Sequence, residues 1–375
     1  MFLVIFIFLL VLLILVHEFG HFIVAKAFGI RVDEFGIFFP PKLWSVKYGE
    51  TEYSLNALPF GGFVRIFGES HSANASRDEQ TNSRSFINKP RFVQAAVIIA
   101  GVFFNFLFAW LALSAGYMVG IPTSVEHIGV GEVHGAHTTI TAVLPGSPAE
   151  QAGIRAGDQV EAAHTGTAEL ALGASADALQ QFILVHQDES VVLSVLRPSS
   201  LGASNKEARN FLAKPVEGLA QGHKAIGIEL DDIGVLQLPP HLALVQGAIL
   251  GKEMTVAIMG GLVGLVSQIF SGTANLAGIA GPIGIVGLGG EAVRQGFVAT
   301  ILLTSLISIN LAIINVLPIP GLDGGRLLFI AIESIIRRPI SERLATRLTI
   351  ASFALLATLM LVVSWHDIIR LVKPV

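Results

Sequence analysis

The sequence predicts a multi-pass α-helical membrane protein with four transmembrane helices and one inserted α+β domain. Its 375 residues are 52% hydrophobic and only 14% charged, and the mean hydropathy is +0.68. Four runs of about twenty apolar residues are long enough to cross a bilayer as helices. A polar stretch of mixed charge, residues 128–232, separates the second run from the third.

The first span is the uncharged run Met1–Val24, which contains the pentapeptide HEFGH at 17–21. No basic residue precedes this run and no small-residue cleavage site follows it, so we expect a retained helix rather than a removable signal peptide. Ionisable side chains inside a span cost at least ~2.5 kcal/mol each. Residues of this kind in a span are therefore usually kept for function.

The spacing of this pentapeptide indicates a metal site. Helical residues four apart lie on one face, so His17 and His21 can offer two imidazoles to one zinc ion. Glu18 then lies beside the metal, where it can accept a proton from a water that the metal activates. The alternative is a helix whose histidines only hydrogen-bond to neighbouring groups.

The other predicted spans are Phe92–Val119, Gly296–Leu317 and Leu348–Trp365. Nine lysines and arginines lie between the first two spans and five arginines between the last two. By the positive-inside rule both of these loops face the cytoplasm. The two termini and the central domain are therefore expected on the outer side.

The central domain is expected to fold independently over residues 128–232. We predict a strand at Thr139–Leu144, a short helix at Ala149–Ala152, a helix at Ser175–His186 and a strand at Ser190–Arg197. Residues 199–222 are predicted to be a loop insertion. The motif LPGSPAEQAGIRAGDQV at 144–160 and the later AIGIEL at 225–230 resemble the circularly permuted PDZ domains of bacterial proteases. Such a domain can add a peptide strand to a sheet edge. A generic small α+β domain is the alternative.

Two histidines leave a catalytic zinc one protein ligand short, and Asp323 is the best candidate. Pro318 and Pro320 end the third span, and the following glycines permit a tight turn toward the metal. His17, His21 and Asp323 share one side of the membrane only if Met254–Ser271 does not cross fully. We therefore predict an interfacial or re-entrant helix there. The predicted domains are residues 1–120, 128–232 and 241–375.

With these motifs the chain resembles the site-2 proteases, zinc enzymes that cleave within the membrane, and most closely the bacterial regulator of sigma-E protease type. The resemblance covers nearly all residues. Its motifs are HEFGHFIVAKAFGIRVDEF at 17–35, GGFVRIFGE at 61–69, SGTANLAGIAGPIGI at 271–285 and NVLPIPGLDGGRL at 315–327, together with the PDZ-like region.

The resemblance implies that His17, His21 and Asp323 bind one Zn²⁺ and that Glu18 is the general base. Further residues are implied to bind substrate. Asn315 would hold the substrate backbone or the developing oxyanion, with Asn310 a weaker candidate, and Gly61 and Gly62 lie in a segment, residues 53–67, expected to form a hairpin that pairs with unwound substrate. Relatives often have Gly-Pro before the second-span asparagine, whereas Gly101-Val102 precedes Asn105 here, so the role of Asn105 stays open.

The implied function is hydrolysis of peptide bonds inside transmembrane segments of single-span proteins, such as anti-sigma factors or remnant signal peptides, after a first cut by another protease. The expected location is the bacterial cytoplasmic membrane, and the lipid bilayer and peptide C-termini at the PDZ-like domain are further expected partners. The chain has no cysteine, so any zinc ligands are nitrogen or oxygen. The net charge of −4 and the lack of a large basic cluster give no sign of nucleic-acid binding. An inactive membrane PDZ scaffold and a proton or metal transporter are the alternative functions.

Overall fold

The fold is that of a computed structural model, which describes residues 2–69, 82–127, 130–171, 173–199, 202–220, 222–272, 281–338 and 340–372. The chain forms two compact units. The first unit contains residues 1–113, 247–293 and 300–375, and the second contains residues 114–246 and 294–299.

The described helices follow the predicted apolar runs closely. They are, in chain order, α1 Phe2–Ala27, α2 Arg91–Val119, α3 Pro148–Ala152, α4 Ala176–Val185, α5 Pro240–Ser271, α6 Pro282–Gln295, α7 Phe297–Val316, α8 Asp323–Ile336 and α9 Glu342–Val372. Within the described residues, five helices are long and apolar enough to cross a membrane: α1, α2, α5, α7 and α9. The protein is therefore a multi-pass membrane protein with a β-rich unit. Four of the five helices correspond to the predicted spans, and α5 extends the predicted segment Met254–Ser271 back to Pro240.

The first unit, called the membrane unit below, also contains a bent β-hairpin. This hairpin is formed by β1 Val32–Tyr48 and β2 Thr51–Ile66. The first part of β1 lies between both ends of β2, since Gly36 is opposite Phe63 on one side and Ser54 on the other. The rest of β1 folds back along β2, with Trp44 opposite Leu55. These four segments make a small sheet with residues 62–66 at one edge. The predicted hairpin at residues 53–67 was therefore only the second strand, and the first strand was missed because Pro40 and Pro41 interrupt it at the bend.

The turn of this hairpin is held by an ion-pair cluster. The Glu50 carboxylate accepts hydrogen bonds from the Lys26 ammonium at 2.7 Å and from the Arg84 guanidinium at 2.6 Å. The hydrogen bonds from Arg84 and Lys26 lower the pKa of Glu50 to about 2. The hairpin turn is thus attached to the C-terminal end of α1 and to the segment that leads into α2.

The second unit is built on a seven-stranded sheet with the order β3-β11-β4-β5-β7-β8, and β6 pairs with β5. Its strands are β3 Ile121–Ser124, β4 Val133–Val143, β5 Gln159–His164, β6 Glu169–Leu170, β7 Val191–Ser199, β8 Gly202–Ala213 and β11 Ile228–Leu236, and β9 Val216–Ala220 pairs separately with β10 His223–Ala225. The helices α3 and α4 begin at serine N-caps. The hydroxyls of Ser147 and Ser175 accept hydrogen bonds from the backbone amides three residues ahead. The helix α4 buries Leu179, Phe182 and Ile183 in the hydrophobic core of the second unit.

The two predicted helices and the two predicted strands of this unit are present, but β4 begins at Val133, six residues before the start of the predicted strand. The loop predicted at residues 199–222 was wrong, because β8 and β9 occupy most of it. β8 pairs with β7 along its length, with Val192 opposite Leu212 and Val195 opposite Arg209. Its small and polar residues concealed a strand, because one face of this hairpin is exposed and needs no apolar side chains.

A buried acidic residue connects the last helix to α6. The Asp367 carboxylate, on α9, accepts from the backbone amides of Gly281 at 3.2 Å and Gly284 at 2.9 Å, and its residue is 5% exposed. These amides lie at the N-terminus of α6, where a helix has unpaired N–H groups and a positive dipole end. The Gly-Pro-Ile-Gly motif at 281–284 thus provides a binding site for a carboxylate of the same chain. These four residues belong to the longer motif at 271–285, of which residues 273–280 lie outside the described residues.

We expect Asp367→Ala to destabilise the membrane unit by ~1–3 kcal/mol, because it removes the acceptor of the buried Gly281 amide and of the part-buried Gly284 amide. A thermal-unfolding series in detergent would measure this, with His366→Ala on the same helix turn as the control. An Asp367→Ala protein as stable as wild type would show that the contact to α6 contributes nothing.

Candidate active site

Three side chains predicted to bind a metal converge in the first unit. His17 and His21 lie one helical turn apart on α1, with ring centroids 4.7 Å apart and planes at 82°. Their Nε2 atoms are 3.1 Å apart. Both residues are more than nine-tenths buried, so the rings face protein rather than lipid.

Asp323 reaches the same point from the other end of the chain. The helix α7 ends at Val316, and Asp323 is the first residue of α8. A Cβ atom on Gly324 would lie 2.1 Å from the Val316 carbonyl oxygen, and one on Gly325 would lie 2.3 Å from the Ile319 carbonyl oxygen. Only glycine lets the first turn of α8 pack this closely on the end of α7, which explains the Asp-Gly-Gly sequence.

The three ligand atoms form a compact triangle. Asp323 Oδ2 lies 2.9 Å from His17 Nε2 and 3.2 Å from His21 Nε2. Zinc bonds to nitrogen and oxygen measure about 2.0–2.2 Å, so ligand atoms in a tetrahedral site lie about 3.3 Å apart. The observed triangle is slightly smaller. Two imidazoles and one carboxylate in this arrangement fit a zinc ion that keeps a fourth position open.

The helix α2 packs directly behind the two histidines. The His21 Nδ1–H group donates to the Val97 carbonyl oxygen at 2.8 Å, which leaves Nε2 with its lone pair toward the triangle. A Cβ atom on Gly101 would lie 2.4 Å from His21 Nε2 and 2.8 Å from His17 Cε1. Similarly, a Cβ atom on Gly20 would lie 2.5 Å from the Ala100 carbonyl oxygen. The two glycines allow α1 and α2 to approach at the level of the metal ligands.

A small cavity of about 230 Å³ opens beside these ligands. It is lined by Ile14, His17, Glu18, Leu311, Asn315, Gly321, Leu322 and Asp323. Glu18 and Asn315, predicted as general base and substrate-binding residue, therefore share one space with two of the candidate ligands. The cavity has room for a peptide group between them.

Of the other residues predicted to bind substrate, Gly62 lies next to Glu18, whereas Gly61 and Asn310 have other contacts. A Cβ atom on Gly62 would lie 3.9 Å from Glu18 Cγ, so the sheet edge at 62–66 begins next to the candidate base. Gly61 has φ +80° and faces the Phe39 ring, so it shapes the bend of the hairpin. The Asn310 amide donates to the Leu306 carbonyl oxygen within α7 at 3.0 Å, and Asn310 does not line the described cavity. Its substrate role stays a prediction.

The contacts of α2 with the two histidines were not predicted from the sequence. Val97, Gly101 and Asn105 are spaced by four residues and so lie on one face of a helix. The same spacing separates His17 from His21. The sequence pattern that could have indicated this role is a glycine four residues before an asparagine in the second predicted span.

Comparison with known proteins identifies the family of this chain. Residues 5–359 match the family described as peptidase family M50. The chain is 32% identical over 369 residues to a Clostridium perfringens protein with a provisional zinc-metalloprotease name, and the match covers 95% of each chain. It is also 28% identical to Protease RseP of Yersinia pestis and 26% identical to Zinc metalloprotease RasP of Oceanobacillus iheyensis, with 96% of every chain covered. The chain therefore belongs to peptidase family M50, the zinc metalloproteases known as site-2 proteases.

Proposed function

We propose that this zinc metalloendopeptidase cleaves transmembrane segments of single-span proteins within the bacterial cytoplasmic membrane, after another protease has removed their outer domains. One observation carries the proposal. His17, Glu18 and His21 lie on α1, a helix long and apolar enough to span a bilayer, and Asp323 completes the triangle shortly after the end of α7, a second such helix. A water-consuming site buried among such helices can serve substrates that are themselves in the membrane. Anti-sigma factors and remnant signal peptides are the substrate classes that the family resemblance implies.

The residues around the cavity divide the chemistry among them. Zinc, when bound, supplies a Lewis acid that activates water and polarises the scissile carbonyl. The Glu18 carboxylate accepts the proton of the attacking water and then gives it to the leaving amine as the C–N bond breaks. The Asn315 amide, across the same cavity, donates a hydrogen bond to the carbonyl oxygen as it gains negative charge.

The hairpin supplies a way to present an unwound substrate. A transmembrane helix satisfies its own backbone hydrogen bonds, so the scissile bond is exposed only when the segment is extended. Residues 62–66 form an edge of the small sheet, and this edge begins at Gly62 next to Glu18. A substrate strand added to this edge keeps its backbone bonded while it passes the candidate base.

Contacts along the helices support four crossings rather than five. Phe6, near the start of α1, packs on Gly289 of α6, and the later cluster containing Ala25 and Ile30 includes Leu327 of α8. The chain from α6 to α8 therefore runs in the same direction as α1, which requires an odd number of crossings between α1 and α7. The helix α2 supplies one crossing. If α5 crossed as well, α6 would have to return, and its 14 residues reach only about 21 Å of a core about 30 Å thick. We therefore propose that α5 does not cross fully, and that both termini and the second unit face outward.

The second unit has the groove expected of a peptide-binding domain. A cavity of about 700 Å³ lies between α4 and the start of β11. In the part of the chain that the structure describes, β3 pairs with residues 233–236 of β11 only, so residues 228–232 keep a free backbone edge on that side. Ile183 and Leu184 line the groove opposite this edge. We propose that the new C-terminus of a trimmed substrate adds to this edge, and that bulky outer domains are excluded.

Removal of most of this unit tests whether it excludes substrates with bulky outer domains, which is its proposed gating role. Ser124 lies directly opposite Ile233, so replacing residues 125–232 by Asn-Gly closes β3 and the end of β11 as a two-residue hairpin. We expect this variant to cleave a substrate that still carries its outer domain, whereas the full chain cleaves only the trimmed form. Equal discrimination by both proteins would contradict the gating role.

The proposed activity is tested directly by mapping the cut. The purified protein in liposomes receives a single-span substrate with a different tag at each end, and mass spectrometry identifies the new termini. We expect a zinc-dependent cut inside the apolar segment. A cut in the water-exposed flank would contradict intramembrane proteolysis, and tight zinc binding without cleavage of trimmed substrates would favour an inactive scaffold.

A further inference from the structure

One face of α2 contacts both imidazoles of the candidate metal site. Val97, Gly101 and Asn105 follow one another at intervals of four residues along this face. Val97 contributes its backbone carbonyl oxygen, and Gly101 contributes the absence of a side chain. Asn105 is the member of the set with a polar side chain, and it is fully buried.

Val97 shows how this face selects a histidine tautomer. A carbonyl oxygen can only accept a hydrogen bond, so the His21 nitrogen 2.8 Å away must carry the proton. In the neutral imidazole the other ring nitrogen, Nε2, is then unprotonated and can bind a metal. Because the acceptor belongs to the backbone, no side-chain substitution at position 97 removes it.

Asn105 stands in the same relation to His17. Its side-chain amide lies 3.2 Å from His17 Nδ1, through Nδ2. The backbone here is held in place, since the Ser308 hydroxyl on α7 donates to the Asn105 carbonyl oxygen at 2.9 Å. The side-chain Oδ1 atom is buried and has no hydrogen-bond partner among the described residues. No hydrogen bond on that side of the amide therefore fixes which of its two polar atoms faces His17, and the chemistry of His17 decides it.

A half-turn of the Asn105 amide exchanges Oδ1 and Nδ2, and so brings the oxygen to His17 Nδ1. His17 can bind a metal through Nε2 only when its proton is on Nδ1. The amide oxygen of Asn105 is then the acceptor for that proton. The same side chain then sets the tautomer of His17, and its Nδ2 group takes the position that Oδ1 has left.

We propose that Asn105 is a positioning residue that accepts the Nδ1–H hydrogen bond of His17 and so holds its Nε2 lone pair toward the metal. This proposal shares with the proposed function only the assumption that His17, His21 and Asp323 bind zinc. It requires no particular substrate. Together with the Val97 carbonyl, Asn105 makes α2 the helix that orients both imidazole ligands. The position four residues after Gly101 thus has a defined chemical role.

The test compares zinc affinity among full-length variants by competition with a chelator, and records the visible spectrum of the Co²⁺-substituted proteins. Asn105→Leu keeps the shape and removes the acceptor, and we expect its zinc affinity to fall about 10- to 100-fold, with a changed Co²⁺ spectrum. Asn105→Asp keeps an acceptor oxygen, and we expect it to bind zinc at least as tightly as wild type. The control is Gln94→Leu, which removes another buried amide from α2 away from the histidines, where the amide bonds to Ile87 and Lys89 carbonyls.

Each result is decisive for the inference. Wild-type affinity and an unchanged Co²⁺ spectrum in Asn105→Leu would overturn it, as would equal loss of zinc in Asn105→Asp or Gln94→Leu. Thermal unfolding of every variant with excess chelator separates loss of the ligand geometry from loss of the fold. The readout is metal binding, so a wild-type protein that binds zinc but cleaves nothing would count against the proposed function and leave this test intact.

Discussion

Replacement of Glu18 by glutamine is expected to reduce cleavage of a trimmed single-span substrate by at least about a hundredfold while one zinc ion stays bound. A general base contributes about 10²–10⁴ to such rates, and the amide of glutamine cannot accept the water proton. The substitution preserves the size and hydrogen-bonding reach of the side chain. Glu18 is not part of the ligand triangle of His17, His21 and Asp323, so zinc binding is expected to persist.

The measurement combines single-turnover cleavage in liposomes with metal analysis of the same preparations. Glu253→Gln is the matched control, because Glu253 is exposed on α5 and lies outside the cavity. It is expected to cleave like wild type. Equal rates in Glu18→Gln and wild type would refute Glu18 as the base, and simultaneous loss of zinc would show that Glu18 has a structural role at the metal.

Replacement of Gly101 by alanine is expected to remove both zinc and activity. Its added methyl group would lie 2.4 Å from His21 Nε2, where ordinary contacts between heavy atoms are about 3.5–4.0 Å. The backbone of α2 cannot retreat easily, because Asn105, one turn along, is tied to Ser308 of α7. The imidazole must therefore leave the triangle, and we expect zinc affinity to fall about a hundredfold or more.

Gly260→Ala provides the control for the change of residue type. Gly260 lies within α5, and an added Cβ atom there would meet nothing within 4 Å. The control is expected to be neutral or slightly stabilising, by ~0.5–1 kcal/mol, since alanine favours a helix interior over glycine. Zinc binding and cleavage at wild-type levels in Gly101→Ala would show that α1 and α2 can separate without cost.

The candidate metal ligands could be predicted from sequence because the motif around each of them lies in one short segment of the chain. Two histidines four residues apart share a helix face whatever the helix packs against. Asp323 was predicted from the need for a third ligand and from the helix-ending prolines before it. The spans were equally readable, since apolar length alone permits a crossing. The structure brings these three ligands together and gives Asn315 a place in the same cavity.

Other features depended on contacts between distant segments. The first strand of the hairpin was missed because Pro40 and Pro41 look like breaks unless the bend between its two pairing partners is known. The strand β8 was missed because an exposed hairpin strand carries small and polar residues and lacks clear alternation. The Gly-Pro-Ile-Gly motif had no assigned role until the structure placed the Asp367 carboxylate on its amides.

The sequence by itself determined the chemistry of this protein: a membrane setting, a nitrogen and oxygen donor set for zinc, and a carboxylate beside it. These follow from residue types and from the period of a single helix. Only the tertiary structure decided what lies behind the ligands. The packing of α2 on α1 turned Gly101 into a required gap and Asn105 into a partner of His17, because the distance between two helices is set by side chains far apart in the chain.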